Sequence, residues 1–332
     1  MKVLAGDLGG TKTLLMIGER RGAEVHTLFE KRYDSAAFGN LLPMLKTFLR
    51  EAGDHAQNVE RACIAVAGPV TDLPDGQSAR ITNLPWRFDS ASLATQLGIA
   101  HVRLVNDFQG VGYGIEALVE KDLETLQRGK THARGPRVVL GAGTGLGVGV
   151  LVWVRDFYEV LASEGGHVDY APTDAEQIEL LRALMRELDH VSCERLVCGS
   201  GLVRIYRFLR DREVAPENPG TRAAMENADA AAEISAAALA GNDHLAQAAL
   251  DLFVRLYGAQ AGNLALTVLA SGGVYIAGGI AAKIIDKLRD GAFLNAFLAK
   301  GRMASLLADM PVHVVINARV GLLGAALVAS RL

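Results

Sequence analysis

Short apolar, β-rich runs recur along the chain at residues 3–5, 13–17, 25–29, 63–67 and 102–105, each bounded by polar or glycine-containing segments. These runs predict strands. Between the third and fourth lies a different period: Leu41, Leu45, Phe48, Leu49 and Ala52 recur at helical spacing, with Pro43 in the first turn and Gly53 closing the run. A helix over 41–52 is expected. The second half repeats the plan, with strands expected at 138–140, 148–154, 157–161, 274–277 and 312–316 and helices at 175–188, 244–269 and 320–332. Residues 215–220, with two prolines and Asn218, predict a surface loop. Strands separated by helices in both halves describe an α/β fold.

Length makes this more than one domain. At 332 residues, 50% of them hydrophobic, the chain can build two cores, and two domains imply a cleft with a hinge near residues 110–120. The net charge of −3 is spread without long like-charge runs, which argues against nucleic acid as a partner. No apolar run is long enough to span a membrane, so no membrane partner is expected and a cytoplasmic protein is. Cys63, Cys193 and Cys198 are too few and scattered for a disulfide framework or a four-ligand zinc site and are expected to be buried free thiols.

Two glycine-rich stretches carry the first chemical signal: GDLGGTKTLLMIG at 6–18 and GAGTGLGVGVLVWV at 141–154. Each reads as strand, glycine turn, strand. Glycine lets backbone N–H groups approach an anion closely, so the pair suggests two grips on a polyphosphate held between related halves. The common nucleotide fingerprints fail on register. The second stretch has glycine only on odd positions from 141 to 149, not at i, i+2 and i+5, and the Gly129-Lys130-Thr131 imitation of a P-loop would need its first glycine at Glu124. Asp7 sits immediately before the first glycine turn. A carboxylate beside a phosphate grip is repulsive unless a divalent cation lies between them, so Asp7 implies Mg²⁺, held directly or through a water.

A second signal is polar. Asn106 and Asp107 follow the run 102–105, at the carboxyl end of a strand where α/β folds place ligands, and they equally suit the cap of a helix beginning near Gln109. Glu164 and His167 flank two glycines, which lets both side chains face one polyhydroxylated ligand. Glu194, in SCERLVCG, reads on spacing alone as a solvated helix residue.

Taken together, GDLGGT (6–11), NDF (106–108), GAGTGLG (141–147), EGGHVDYAP (164–172), ERLVCGSGLV (194–203), GNLAL (262–266) and GGVYIAGGI (272–280) closely resemble the bacterial glucokinases of the non-ROK type. The resemblance spans nearly the whole chain. It implies an actin-like ATPase fold of two RNase H-like domains, the smaller at 1–116 and 317–332 and the larger at 117–316, with ATP and sugar in the cleft. It implies transfer from MgATP to the 6-hydroxyl of D-glucose, and it favours a homodimer. By the same resemblance Asp107 is the general base, Asn106, Asp107, Glu164, His167 and Glu194 hold the sugar, Gly6, Asp7, Leu8, Gly9, Gly10, Thr11 and Lys12 with Gly143, Thr144 and Gly145 hold the phosphates, and Gly278 and Gly279 lie on the adenosine side.

One segment departs from that pattern. Glucokinases of this type carry Asn and, two residues on, Arg after GGT, where this chain has Lys12, Thr13 and Leu14. Lysine after GGT is similar to the ROK sugar kinases, whose cysteine-rich zinc motif this chain lacks; Lys12 becomes the candidate cation for the transferred phosphate. The alternatives are a kinase of the same fold acting on another hexose or an amino sugar, and a non-catalytic sugar- or nucleotide-binding regulator. A repressor is expected to carry a DNA-binding segment ahead of the first strand, which starts here at residue 2.

Overall fold

The computed structural model describes residues 1–22 and 24–332. The chain forms two compact units, Met1–Asp122 with Val154–Ala162 and Asn317–Leu332, and Leu123–Trp153 with Ser163–Ile316.

The first unit is built on a sheet of order β3-β2-β1-β4-β8. Its strands are β1 (Lys2–Leu8), β2 (Lys12–Arg21), β3 (Glu24–Asp34), β4 (Val59–Val66) and β8 (His101–Asn106). The β1-β2-β3 meander is antiparallel, while β1, β4 and β8 run parallel. Helix α1 (Leu41–Ala52) follows directly from its sequence. Asn40 caps it by accepting the Leu41 N–H, Leu41, Met44, Leu45, Phe48 and Ala52 form its buried stripe, and Gly53 ends it at φ 54°. That stripe packs with Leu4, Leu15, Ile17, Ile64 and Leu104 in one core. A small antiparallel sheet, β5 (Val70–Leu73), β6 (Gly76–Arg80) and β7 (Arg87–Asp89), leads into α2 (Ser90–Leu97).

Two helices, α3 (Asp107–Gly114) and α13 (Val320–Ala329), cross at unusually close range. A Cβ on Gly324 would lie 1.8 Å from the Gly110 carbonyl oxygen and 2.6 Å from the Gly114 nitrogen, and one on Gly114 would lie 2.0 Å from the Val320 oxygen. Only glycine allows this approach. Strand β12 (Phe157–Ser163) contributes its first six residues to this unit through long-range bonds: Gln109 Nε2 donates to the Val160 carbonyl, Tyr113 Oη to Glu159, and the Tyr158 N–H to Glu116. Such partners leave no periodic trace in the sequence.

In the second unit the strands β9 (Leu123–Gln127), β10 (Arg137–Ala142), β11 (Leu146–Val154), β13 (Gly273–Ala277) and β14 (Val312–Val315) follow the order β11-β10-β13-β14-β9. Helices α4 (Ala175–Leu184), α5 (Gly199–Asp211), α6 (Pro219–Asn227), α7 (Ala230–Ala240) and the 25-residue α8 (His244–Val268) pack around a separate core that includes Leu140, Leu202, Phe253 and Tyr257. The shorter α9 (Gly279–Lys283), α10 (Ile285–Arg289), α11 (Ala292–Leu298) and α12 (Ala304–Ala308) follow β13.

Two sequence expectations need correction here. The segment 215–220 is not loop throughout: Asn218 caps α6 and Pro219 opens it, a position where the missing N–H costs nothing. The helix expected over 175–188 ends at Leu184, and the chain continues in turns. The cysteines are as expected, all free and buried, with burial pushing the Cys63 thiol up to about 12 and the Cys193 thiol up to about 11.

Candidate active-site residues and the family

The first glycine stretch forms a tight hairpin between β1 and β2. The Gly9 N–H donates to the Lys12 carbonyl at 3.0 Å, and a Cβ on Gly9 would sit 2.8 Å from that oxygen. Thr11 and Lys12 are exposed at its tip. Beneath it, Ser35 Oγ donates to the Gly9 carbonyl at 2.7 Å and lies 2.9 Å from Thr13 Oγ1, while the Ser35 N–H donates to Thr11 O. Ser35 and Thr13 are fully buried and hold the hairpin from below, a role that no spacing signal in the sequence carries.

The other residues of this stretch divide by burial. Gly6 lies inside β1, where a Cβ would meet Ile64 Cδ1 at 2.7 Å and Leu15 Cδ2 at 2.9 Å, so its lack of a side chain serves packing. Leu8 has no exposed surface and its side chain belongs to the core. Only its backbone can face a ligand. Gly10 backs onto Asn83, whose Cβ would be 2.9 Å from an added Cβ.

Asp7 and Asp107 stand at the carboxyl ends of β1 and β8, separated by β4. Burial and then the Asp107 carboxylate raise Asp7 from the ordinary range to about 6. Gly321, in the first turn of α13, leaves the room Asp7 occupies: a Cβ there would be 2.9 Å from Asp7 Oδ2. Asn106 caps α3, accepting the Phe108 N–H at 2.9 Å, while its Nδ2 donates to the Gly68 carbonyl at 3.1 Å. Its own N–H donates to Gln109 Oε1, completing a capping box. The helix thus begins at Asp107, two residues before the expected start. A carboxamide has two donors and two lone pairs, so capping still leaves Asn106 capacity for a ligand hydroxyl.

Among the described residues no cluster of three or more His, Cys, Asp or Glu side chains forms a protein-only metal cage. One carboxylate is enough for Mg²⁺ when phosphate oxygens and waters complete its shell, so Asp7 fits the ion. The raised Asp7 marks a pair whose charge a dication would relieve.

In the second unit the glycine alternation resolves into two strands and a turn. Gly141 pairs with Gly147 across β10 and β11, and 143–145 makes the turn. Gly143 has open space at its Cα, its N–H donates to the Gly145 carbonyl, and its own carbonyl accepts the Gly199 N–H at the start of α5. The buried Tyr257 hydroxyl accepts the Ala142 N–H at 3.1 Å and lies 3.4 Å from the Leu140 and Ala277 carbonyls. It ties the ends of β10 and β13, hence both glycine turns, to α8.

Glu194 is not a solvated helix residue. It lies in a 3-10 turn, its Oε2 accepts the Leu146 N–H at 2.8 Å, and its backbone N–H donates to Gly166 O. A Cβ on Gly145 would lie 2.4 Å from that same Oε2. His167 Nε2 stands 3.8 Å from Glu164 Oε2 and 3.8 Å from Glu194 Oε1, too far to bond directly and close enough for a hydroxyl to bridge. Glu164 is 91% exposed and Glu194 28% exposed, so the outer carboxylate is free to move and the inner one is held.

A cavity of about 720 Å³ opens beside the 143–145 turn, with Gly143, Thr144, Ser200 and Gly279 at one end and Leu202, Leu239 and Ile284 among its apolar walls. Its volume lies in the range of small-molecule ligand pockets. Gly279 is open on its Cα side, whereas Gly278, at φ 86°, packs where a Cβ would meet the Ala142 carbonyl at 2.5 Å.

The known proteins that this chain resembles agree with one another. A family model described as glucokinase matches residues 4–332. The glucokinase of Nostoc sp. (strain PCC 7120 / SAG 25.82 / UTEX 2576) is 46% identical, over 99% of this chain and 99% of its own. The crystal structure of glucokinase from an Antarctic psychrotroph superposes with a TM-score of 0.87 at 28% identity, covering 100% of this chain and 99% of that one. A ROK family glucokinase from Streptomyces griseus, solved with glucose and AMPPNP, shares the fold at a TM-score of 0.64 and 20% identity over the full length of both chains. The fold is the two-domain actin-like ATPase fold of the sugar kinases. With the family model covering all but the first three residues, the chain belongs to the glucokinase family.

Proposed function

We propose that this chain carries out the family's reaction, ATP-dependent phosphorylation of D-glucose, with the γ-phosphoryl passing to the 6-hydroxyl. The observation that carries the chemical reading is the Asp7–Asp107 pair at the carboxyl ends of two parallel strands of one sheet, β1 and β8, beside a hairpin of exposed backbone. Phosphoryl transfer needs positioning and charge neutralisation more than covalent chemistry. Asp107 accepts the proton of the 6-hydroxyl as the oxygen attacks. Asn106, Glu164, His167 and Glu194 fix the ring by its hydroxyls, the carboxylates accepting and the amide doing both. The 9–12 and 143–145 turns present backbone to the phosphates, and Lys12, exposed at the hairpin tip, supplies a cation. Asp7 would hold Mg²⁺ directly or through a water, and the ion would neutralise charge between the β- and γ-phosphates. The adenosine is assigned to the cavity beside Thr144 and Gly279.

The assignment is tested by ADP release with a panel of hexoses and amino sugars. Glucose should raise the rate most, and Asp107→Asn should lower kcat by about 10²- to 10⁴-fold while glucose affinity, read by calorimetry, changes little. ADP release indifferent to glucose would remove the activity; a normal kcat in the variant would remove Asp107 from its role.

A further inference from the structure

Glu194 touches two things at once. One carboxylate oxygen faces His167, in the loop assigned to the sugar, and the other accepts the N–H of Leu146, the residue that closes the 143–145 turn assigned to the phosphates. The turn is shaped around it: Gly145 has no Cβ because the Glu194 carboxylate fills that space at 2.4 Å. The two loops also meet through backbone, since a Cβ on Gly166 would sit 2.1 Å from the Leu146 carbonyl and the Glu194 N–H donates to Gly166 O. The same turn passes its order onward, Gly143 accepting the Gly199 N–H at the start of α5, beside the cavity.

We propose that Glu194 is a positioning residue for the phosphate turn as well as a sugar ligand, and that sugar and nucleotide affinities are coupled through it. The inference rests on the functional reading above. A sugar hydroxyl donating to Glu194 Oε1 fixes the carboxylate, and a fixed carboxylate holds the Leu146 N–H and the turn in its nucleotide-binding shape. Coupling of this kind is reciprocal, so an ordered turn must favour the sugar to the same degree. It also gives Gly145 an assignment different from that of an ordinary phosphate-loop glycine: its substitution should be felt by the sugar.

The test measures each ligand alone and, for wild type and Glu194→Ala, AMPPNP again with glucose saturating. The gain in AMPPNP affinity that glucose brings to wild type should shrink in the variant, and an undiminished gain overturns the coupling. Binding of AMPPNP with Mg²⁺ but no sugar is titrated by calorimetry to the wild-type chain, Glu194→Ala and Glu194→Gln. The alanine variant should lose about tenfold in affinity, as expected when a charge-assisted hydrogen bond is removed. The glutamine variant should recover most of that loss, because its amide oxygen still accepts from Leu146. Glucose alone is titrated to wild type and Gly145→Ala, where the added methyl must push the carboxylate aside and weaken glucose binding by a similar factor. Unchanged AMPPNP affinity in Glu194→Ala, or unchanged glucose affinity in Gly145→Ala, overturns the proposal while leaving the kinase reading intact. A wild-type chain that binds AMPPNP but no glucose overturns the functional reading and the coupling with it.

Discussion

At the scale of single residues, the feature that most separates function from stability is the Asp7 carboxyl. It is raised to about 6 by burial and by Asp107, so the folded chain takes up a proton between pH 3.8 and about 6 that the unfolded chain does not hold. The sign follows: stability from this group is full below pH 3.8, falls as pH rises through that window, and stays lost above it. Asp7→Asn removes the charge and keeps the shape. The ligand-free variant in chelator should therefore be more stable than wild type at pH 8, by up to about 3 kcal/mol, with the gain vanishing near pH 4. Denaturant melts at several pH values read this directly; a gain independent of pH would show that ionisation is not its source. The same variant should lose phosphoryl transfer, the pattern of a site that sacrifices stability for chemistry. Asp7, Asn106, Asp107, Glu164 and His167 were legible as candidates from their local sequence because each sits at a strand end or beside a glycine pair. Glu194 was not, since its partner Leu146 is 48 residues away and spacing records only near neighbours.

The elements that hold these residues were legible in proportion to how local their causes are. Helix α1 matches its expected span because Asn40, the apolar stripe and Gly53 all act within the element. Helix α6 was misread because Pro219 looks the same to a sequence reader whether it breaks a chain or opens a helix. The α3–α13 crossing was invisible, since Gly110 and Gly114 meet Gly321 and Gly324 only after folding. That crossing bears on both carboxylates, because Asp107 opens α3 and Asp7 lies against the first turn of α13. Gly324→Ala must push the helices apart, since its methyl would fall 1.8 Å from the Gly110 carbonyl. Overpacking of this kind costs about 1–3 kcal/mol. A displacement near 1 Å at the reacting groups costs up to about 10²-fold in rate. The variant should thus lose melting temperature and kcat together, whereas Gly39→Ala, at an open position, should change neither. Retained kcat in a destabilised Gly324→Ala would mean that the seam holds the fold without setting the site.

For the whole molecule, the chain's order and its cores disagree. The first unit is begun by residue 1 and finished only by Asn317–Leu332, after the entire second unit has been traversed. Its last helix is not an accessory. Nine of the ten residues of α13 are buried, which leaves it no continuous solvent face, so it is core on all sides. Both ends are fastened within that unit: Arg319 pairs with Glu30, Arg331 pairs with Glu116 and lies over the Phe157 ring, and Arg20 donates to the Ser330 carbonyl. Burial of each Val or Leu in such a helix contributes about 1.5–3 kcal/mol, and marginal domains do not survive the loss of several. The second unit closes its own sheet with β14 at Val315 and keeps a core that shares no residue with the first. A chain ending at Ile316 should therefore lose protection from hydrogen exchange across β1, β4 and β8 while β10, β13 and α8 remain slow. It should keep adenosine affinity within a few-fold, since the 720 Å³ cavity is lined by second-unit residues alone. It should bind AMPPNP more weakly than the full chain, since the 9–12 hairpin, Lys12 and Asp7 are lost to the phosphates, and show no glucose-dependent ADP release, since Asp7 and Asp107 have lost their frame. Uniformly fast exchange in both units would show instead that the two cores stand or fall as one.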